Sequence, residues 1–508
     1  MNFLTKFFPS SRSKWRQYFI ALYPVVLGTS LFSLNGFIDN FMVGKYNGVA
    51  AVSAANAWTN IVIGLVLGVA AAGGIISAQL FASKKYDKLV QMARFRYFFT
   101  MVLVIFIVLL VLIIPTQLIQ LFLKQPKSPD EMMLYNRNIE MSQSYLKITV
   151  LQWLIFSISG NLGSQLREIG HSRITMYWGI ASIITNITLN ATLIYGFDLG
   201  VEGAAWASVA SRVVELSVGL IYLKICKLPI SFKLWTIFYF NKDIVFSFFR
   251  QFALFFSFST MIALINFRNY FYDLGYPQGS IGVGVGASSV LGLTGAIMNV
   301  FTSIFSATGV MAANFVGYEL GKGNIVAAKI NSNELKGFNT LMAIISGLLV
   351  ALVAAFVPSM TFLVNVSDIN VDTGAQLREV RNTLFVVAMF FPLWIWYTTS
   401  YRNSVSGGKS FWGSFGDWFL NLIQIGWAWI VMVWMKDHSN TLKENFWLAY
   451  SIFYLFDFTK LIWQEFTYKL VDWAQPITNE VSSNISSVHL HDDDFIDDNK
   501  VKVKAKDD

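Results

Sequence analysis

Apolar stretches free of Asp, Glu, Lys and Arg follow one another along almost the whole chain, most of them about the length of a bilayer-crossing helix. Crossing the hydrocarbon core takes about 20 apolar residues as a helix, and no water is available there to satisfy backbone groups left unpaired. A first set covers 17–38, 46–83, 97–123, 148–166, 174–197 and 203–223, the last interrupted by Arg212 and Glu215. A second set covers 251–267, 274–318, 337–367, 382–401, 410–435 with Asp417 inside, and 445–470. The two longest stretches each begin with a Gly-rich turn, so each reads as one span plus an apolar loop. The expectation is an all-α integral membrane protein with twelve transmembrane helices in two six-helix lobes.

Composition agrees. Charged residues make up 13% of 508 against ~25% in soluble domains, which excludes an ordinary cytosolic enzyme and a disordered scaffold. The net charge of +8 is modest for this length, and argues for loop asymmetry across a bilayer and against nucleic-acid binding. Cys226 is the one cysteine, so an intrachain disulfide and thiolate metal clusters are excluded. Lys6, Arg12, Lys14 and Arg16 precede the first apolar run as in a signal peptide, but no small-residue cleavage site follows, so the first helix is expected to be retained.

Alternate loops carry different charge. Lys84, Lys85, Lys88, Arg94 and Arg96 fall on one side with Lys224, Lys227, Lys233, Lys242, Arg250, Lys322, Lys329, Lys336 and the basic N-terminus. The other side has acidic turns at Asp198, Glu202 and Asp273. The positive-inside rule then places both termini in the cytoplasm. This divides the chain into an N-terminal cytoplasmic segment (1–16), a first lobe (17–223), an inter-lobe linker (224–243), a second lobe (244–470) and a tail (471–508). The tail is acidic and lysine-rich beyond Pro476 and is expected to be disordered. His489 and His491 within it read as solvated.

An internal repeat is visible at one offset. Gly44 matches Gly279, Gly74 matches Gly309, Gln79 matches Asn314, Arg167 matches Arg402 and Asn186 matches Asn421, all 235 apart, while Asp39 matches Asp273 at 234. Agreement across four spans implies two parallel copies of a six-helix unit, an arrangement that puts transported substrates at the interface of the copies.

Several segments resemble the multidrug and toxin extrusion (MATE) family: Gly36-Phe37-Ile38-Asp39-Asn40-Phe41-Met42-Val43-Gly44, the stretch from Ala50 to Ala55 leading to Gly73-Gly74 and Gln79, the turn Leu166-Arg167-Glu168-Ile169-Gly170, and Gly203-Ala204-Ala205-Trp206-Ala207-Ser208. The resemblance runs from about Tyr18 to Leu470. The second half matches less well, because the Arg402 turn has extra residues before its glycine. A cation-coupled exporter with two lobes around a central cavity is what the resemblance implies.

Candidate residues follow from this. A charged carboxylate at bilayer depth costs roughly 2.5–3.5 kcal/mol, so Asp39 needs either an interfacial position or a partner. Asn186 and Asn190 are four apart and share a helix face, where amides either join helices or ligate a hard cation. The resemblance implies a cation site of Asp39, Asn186, Asn190 and Ser208, with a single titratable group. Arg268 is expected to snorkel or to pair with Asp273, or otherwise to be a buried partner for a carboxylate in the cavity. Asp417, Asp457 and Lys460 are expected to be structural, the last two pairing three residues apart. Gly282-Val283-Gly284-Val285-Gly286 lacks the context of a phosphate loop, and His171 is assigned no role.

The expected function is secondary antiport of amphipathic, often cationic drugs or metabolites against Na⁺ or H⁺, with no cofactor and no enzymatic activity. The protein is expected to act as a monomer, multi-pass in the cell membrane, with a small-molecule substrate and the lipid bilayer as partners. A lipid-linked precursor flippase is the alternative, although few Arg or Lys are available for a phosphate. An integral membrane enzyme would need clustered His, Cys or carboxylates.

Overall fold

The computed structural model describes residues 7–43, 48–123, 129–361 and 372–477. Gly44 and the tail from 478 onward, including His489 and His491, lie outside the described residues, as does the 1–6 part of the N-terminal segment. Among the described residues the chain is helical, with one isolated antiparallel bridge between Gly282 and Val285.

The first six long helices are α1 (Arg12–Met42), α2 (Val49–Ala82), α3 (Tyr86–Ile113), α4 (Pro129–Glu168), α5 (Ser172–Asn190) and α6 (Gly200–Cys226). After the short helix Lys242–Arg250 come α7 (Ala253–Gly275), α8 (Ala287–Phe301), α9 (Ser303–Met311), α10 (Ile325–Phe356), α11 (Thr373–Ser406), α12 (Ser410–Trp429), α13 (Phe446–Leu455) and α14 (Asp457–Leu470). Among the described residues, eight segments are long and apolar enough to cross a membrane. The expected count of twelve is not reached by that measure. Glu202, Arg212 and Glu215 dilute α6, and the 445–470 stretch breaks at Phe456 into helices of 10 and 14 residues. The 274–318 stretch becomes α8, α9 and a π-helical turn Ala312–Gly317, and still counts among the eight as Ala287–Gly321.

Two bundles share one packing plan. In the first, α1 packs on α5, α3 on α4, α2 on α4, and α4 on α6; in the second, α7 packs on α12, α10 on α11, α8 and α9 on α11, and α11 on α14. Each bundle has its own apolar core, around Val62, Val66 and Trp153 in the first and around Val350, Phe391 and Phe446 in the second. The turns after α4 and α11 both require a left-handed glycine, Gly170 at φ 89° and Gly408 at φ 82°. The second comes three residues late against the 235 offset, which accounts for the poorer sequence match there.

One buried ion pair shows what the Gly73-Gly74 motif is for. Arg96 Nη1 lies 2.7 Å from Glu168 Oε2, with Arg96 0% exposed. A Cβ on Gly73 would strike the Arg96 side chain, and one on Gly74 the Glu168 carboxylate. Glycine is therefore what lets α2 lie against a pair bridging α3 and α4. The repeat replaces that pair with amides: 235 residues on stand Asn331 and Asn403, whose Nδ2 atoms donate to Phe315 O at 3.0 Å and Ser332 O at 2.9 Å.

The bundles meet chiefly through α1 against α8 and α9, and through α2 against α7 and the short helix Tyr318–Gly321. Ser30 Oγ donates to Ser303 Oγ at 2.8 Å. At the lysine-rich end, Glu334 of α10 accepts Lys14 Nζ at 2.8 Å, Tyr18 OH at 2.9 Å and Ser10 N at 3.3 Å. Nearby, Lys336 is 2% exposed, 2.7 Å from Glu465 and 4.2 Å from the Tyr468 ring centroid. Residues 471–477, expected to begin the disordered tail, are instead packed: Trp473, Ala474 and Ile477 are buried. They are apolar in a tail read as polar, so Trp473 and Ala474 join the core between the bundles and Ile477 packs into the core around Val69 and Leu162.

Candidate functional site

Asp39 stands near the end of α1, at the opposite end of the bundle from Lys14. Asn186 and Asn190 occupy the last two turns of α5, and Ser208 lies eight residues into α6. Three helix termini thus converge at one level. Close approach of α1 and α5 is possible because Gly28 and Gly179 face each other where the helices cross.

All four candidate residues come together. Asp39 Oδ1 accepts Asn190 Nδ2 at 2.6 Å and Asn186 Nδ2 at 3.2 Å, and Oδ2 accepts Ser208 Oγ at 2.6 Å. Asn190 Nδ2 also donates to Asn186 Oδ1 at 3.1 Å, and Asn186 Nδ2 to Ser208 Oγ at 3.4 Å. Asp39 is 3% exposed and the two amides 0%. The Asp39 carboxylate is thereby enclosed by its protein partners. Asn190 Oδ1 is buried with no donor among the described residues.

Every group touching Asp39 among the described residues is neutral. Arg212, one turn beyond Ser208, is the fixed cation whose charge acts on it among the described residues. That guanidinium is committed to Glu215, with which it forms an ion pair, and stacks 4.2 Å over the Phe32 ring of α1. Rotating either amide by half a turn presents its oxygen to Asp39. The cluster can thus offer two carboxylate oxygens, two amide oxygens and a hydroxyl, the hard donors an alkali cation takes. Directly after Asn190 the helix widens into a π-helical turn, Ala191–Gly196, a feature frequent at functional sites. Tyr195 in that turn donates to Met42 O at 2.9 Å, tying it to the end of α1.

The second bundle holds a different polar cluster. Asp457 and Lys460 pair at 3.4 Å, as their spacing predicts. Asp457 Oδ1 also accepts Gln424 Nε2 at 3.0 Å, and Oδ2 accepts Trp394 Nε1 at 2.7 Å. Asp417 lies close enough to Lys460, Arg402 and Ser257 to interact with each. Arg268 departs from expectation, donating from Nη1 to Tyr454 OH at 3.2 Å and lying over the Tyr272 ring. Asp273 instead accepts Ser288 N at 3.0 Å, capping α8. The glycine run 282–286 forms a turn against Pro277 and Ala375, and His171 Nδ1 bonds Tyr222 OH at 2.7 Å. Sequence reasoning missed Gln424 and Trp394 as partners, although Gln424 lies one turn after Asn421, which the repeat had marked.

The MatE family model matches residues 24–192, which includes Asp39, Asn186 and Asn190. Over 230 residues the chain is 25% identical to "Probable multidrug resistance protein YoeA" of Bacillus subtilis (strain 168), covering 44% of this chain and 48% of that one. Over 202 residues it is 25% identical to "Multidrug export protein MepA" of Staphylococcus saprophyticus, covering 39% and 43%. The matched stretch thus spans about half the length of these curated relatives. Among solved structures, a MOP superfamily transporter from Pyrococcus furiosus described as having reverse polarity of its binding pocket aligns with a TM-score of 0.74 at 17% identity, over 89% of this chain and 96% of that chain. A mutant of the Vibrio cholerae MATE transporter VcmN aligns with a TM-score of 0.73 at 14% identity, over 91% and 98%. The fold is that of these transporters.

Proposed function

From a chain that is MATE-like both in its fold and in the sequence of its first bundle, we infer a secondary active transporter of the cell membrane that exports amphipathic, often cationic small molecules in exchange for Na⁺ or H⁺. The observation that carries this reading is the enclosed Asp39 carboxylate, which three neutral donors contact and no fixed cation touches among the described residues. A buried charge without a counterion is costly, and a mobile cation supplies what the chain does not. Lys and Arg asymmetry puts both termini in the cytoplasm, so the ion reaches Asp39 from outside.

In this reading an arriving cation draws the oxygens of Asn190, Asn186 and Ser208 toward itself, pulling the ends of α5 and α6 onto α1. The same helix carries Ser30 against Ser303 and Tyr18 against Glu334 in the other bundle. Pro24 interrupts its hydrogen bonding between the two regions, giving it a place to bend. Ion binding at one end of α1 is thereby transmitted to the seam between the bundles. One charge moved through 100 mV is worth ~2.3 kcal/mol, enough for roughly a fiftyfold substrate gradient.

The test is substrate-stimulated ion flux in proteoliposomes, with Na⁺ and pH gradients imposed separately. Asp39→Asn is expected to abolish ion-driven export while the protein still inserts and binds substrate. Unchanged ion dependence in that variant removes the assignment.

A further inference from the structure

The second bundle repeats part of the Asp39 arrangement, with Trp394 and Gln424 donating to Asp457. Asn186 corresponds to Asn421 at 235 and Asn190 to Gln424 at 234, and all four are buried. Their helices, α5 and α12, each pack on the first helix of their own bundle and each continue into a π-helical turn, Ala191–Gly196 and Ile430–Met435. In both bundles the later amide donates to a buried carboxylate, Asn190 to Asp39 at 2.6 Å and Gln424 to Asp457 at 3.0 Å. In both, its oxygen is buried with no donor among the described residues, Asn190 Oδ1 and Gln424 Oε1. What differs is the source of the carboxylate, moved from the first helix to the last, and the Lys460 ammonium standing 3.4 Å from it.

We propose that this cluster is a second cation site, matching the Asp39 site in position, and that the Lys460 ammonium occupies it as a tethered ion. The ligand it would take with that ammonium removed is a monovalent inorganic cation. This rests on the reading of the Asp39 cluster as the coupling site.

Charge arithmetic separates the two clusters. Around Asp39, Arg212 and Glu215 cancel, leaving one uncompensated negative charge among the described residues. Around Asp457, the carboxylates of Asp457 and Asp417 face Lys460, Arg402 and Arg268, leaving no negative charge to attract an ion. Lys460 alone is within ion-pair distance of Asp457 among the described residues. An ordinary i,i+3 pair on a helix surface would be hydrated and weak. This one is enclosed, with Asp457 3% and Lys460 7% exposed, and a compact ammonium is the side-chain group nearest in character to a small cation. Orphaned Gln424 Oε1 is a ligand in waiting, one amide rotation from the carboxylate. The consequence for transport is that only the first bundle exchanges an ion, one per cycle.

Sodium binding to purified protein, measured by calorimetric titration at mildly alkaline pH, tests this in an Asp39→Asn background that silences the first site. Asp39→Asn alone is expected to bind no Na⁺. Adding Lys460→Gln should create one site per chain. Lys460→Arg should not, because it keeps a cation in place, and adding Asp457→Asn to the Lys460→Gln variant should abolish the gain. A monodisperse Asp39→Asn/Lys460→Gln protein that binds no Na⁺, or a gain that survives Asp457→Asn, overturns the proposal. Equal, measurable Na⁺ binding by the unmutated protein and Asp39→Asn overturns the coupling-site reading instead, and the Lys460 comparison still decides the second site.

Discussion

Gln79 and Ile477, 398 positions apart in the chain, share a 2.7 Å hydrogen bond in which the Ile477 backbone N–H donates to Gln79 Oε1. The other end of the same amide donates from Nε2 to Ser406 O, also at 2.7 Å. One fully buried side chain of α2 thereby holds the end of α11 and the segment after α14 against the first bundle. The carbonyl of Trp473 packs so tightly on Gly407 that no side chain would fit there. Residues 471–477 act as a strap across the seam between the bundles.

Two truncations distinguish strap from tail. Removing 478–508 is expected to leave thermal stability in detergent unchanged. Removing 471–508 strips a buried Trp, worth roughly 3–5 kcal/mol in a core, and leaves Gln79 Oε1 unsatisfied at a cost of about 1–3 kcal/mol. Its melting temperature should fall by several degrees, and equal melting of the two truncations would contradict the strap.

The Arg96–Glu168 pair gives a prediction in which glycine and charge must agree. Glu168→Gln leaves a fully buried guanidinium short of its counterion, so a loss of about 3–5 kcal/mol is expected. Gly74→Ala should be comparably damaging, because the added methyl meets the Glu168 carboxylate. Combining the two should cost less than the sum of the singles, since both act on one contact. Strict additivity in denaturation of the purified variants would show that Gly74 matters for another reason.

Much of this fold is legible in sequence because a bilayer leaves few alternatives: apolar length gives spans, and an offset shared by Gly74, Gln79, Arg167 and Asn186 gives the repeat. Asp39, Asn186, Asn190 and Ser208 were legible as a set only through resemblance, since spacing alone joins just the two amides. Residues 471–477 were missed because strongly acidic composition further on dominates the reading of the tail, while three apolar residues decide the local packing. Arg268 was misplaced for a related reason. Asp273 is close in sequence, but a helix start at Ala287 gives that carboxylate an amide to cap, and Tyr454 comes to Arg268 from nearly two hundred residues away.

Glu334 ties the N-terminal segment and α1 to the second bundle, accepting Lys14, Tyr18 and Ser10 together. If the bundles separate at this end during transport, this contact must open. Glu334→Gln weakens a charge-assisted pair to neutral hydrogen bonds, a loss of about 1 kcal/mol or more, and should raise the population open at the lysine-rich end severalfold. A cysteine placed at Asn314, beside Lys14 and Tyr18 in the crevice at this seam, in a Cys226→Ser background, reports it by its alkylation rate. An unchanged rate would mean that Glu334 is indifferent to the motion.

The choice of coupling ion turns on how many carboxylates the first site contains. With Asp39 as its only acid, the cluster presents one negative charge and up to three neutral oxygens from Asn186, Asn190 and Ser208. Ser208→Ala removes one oxygen and leaves the charge, so the apparent Na⁺ requirement for export should rise severalfold without being abolished. Asn190→Asp acts in the opposite sense. It puts a second carboxylate at 2.6 Å from the first, and two like charges so close cannot both ionise freely, so one of them retains its proton to higher pH. The sign follows: below the raised pKa the pair is half protonated and carries the same single charge as the native site, while above it the pair carries two and holds a cation more tightly. The pH profile of export by Asn190→Asp should therefore differ from that of the native protein, and its Na⁺ affinity should increase with pH. Transport rate against external pH at fixed Na⁺, for both proteins, measures this. Identical pH profiles would mean that residue 190 does not face the ion, whatever its contact with Asp39.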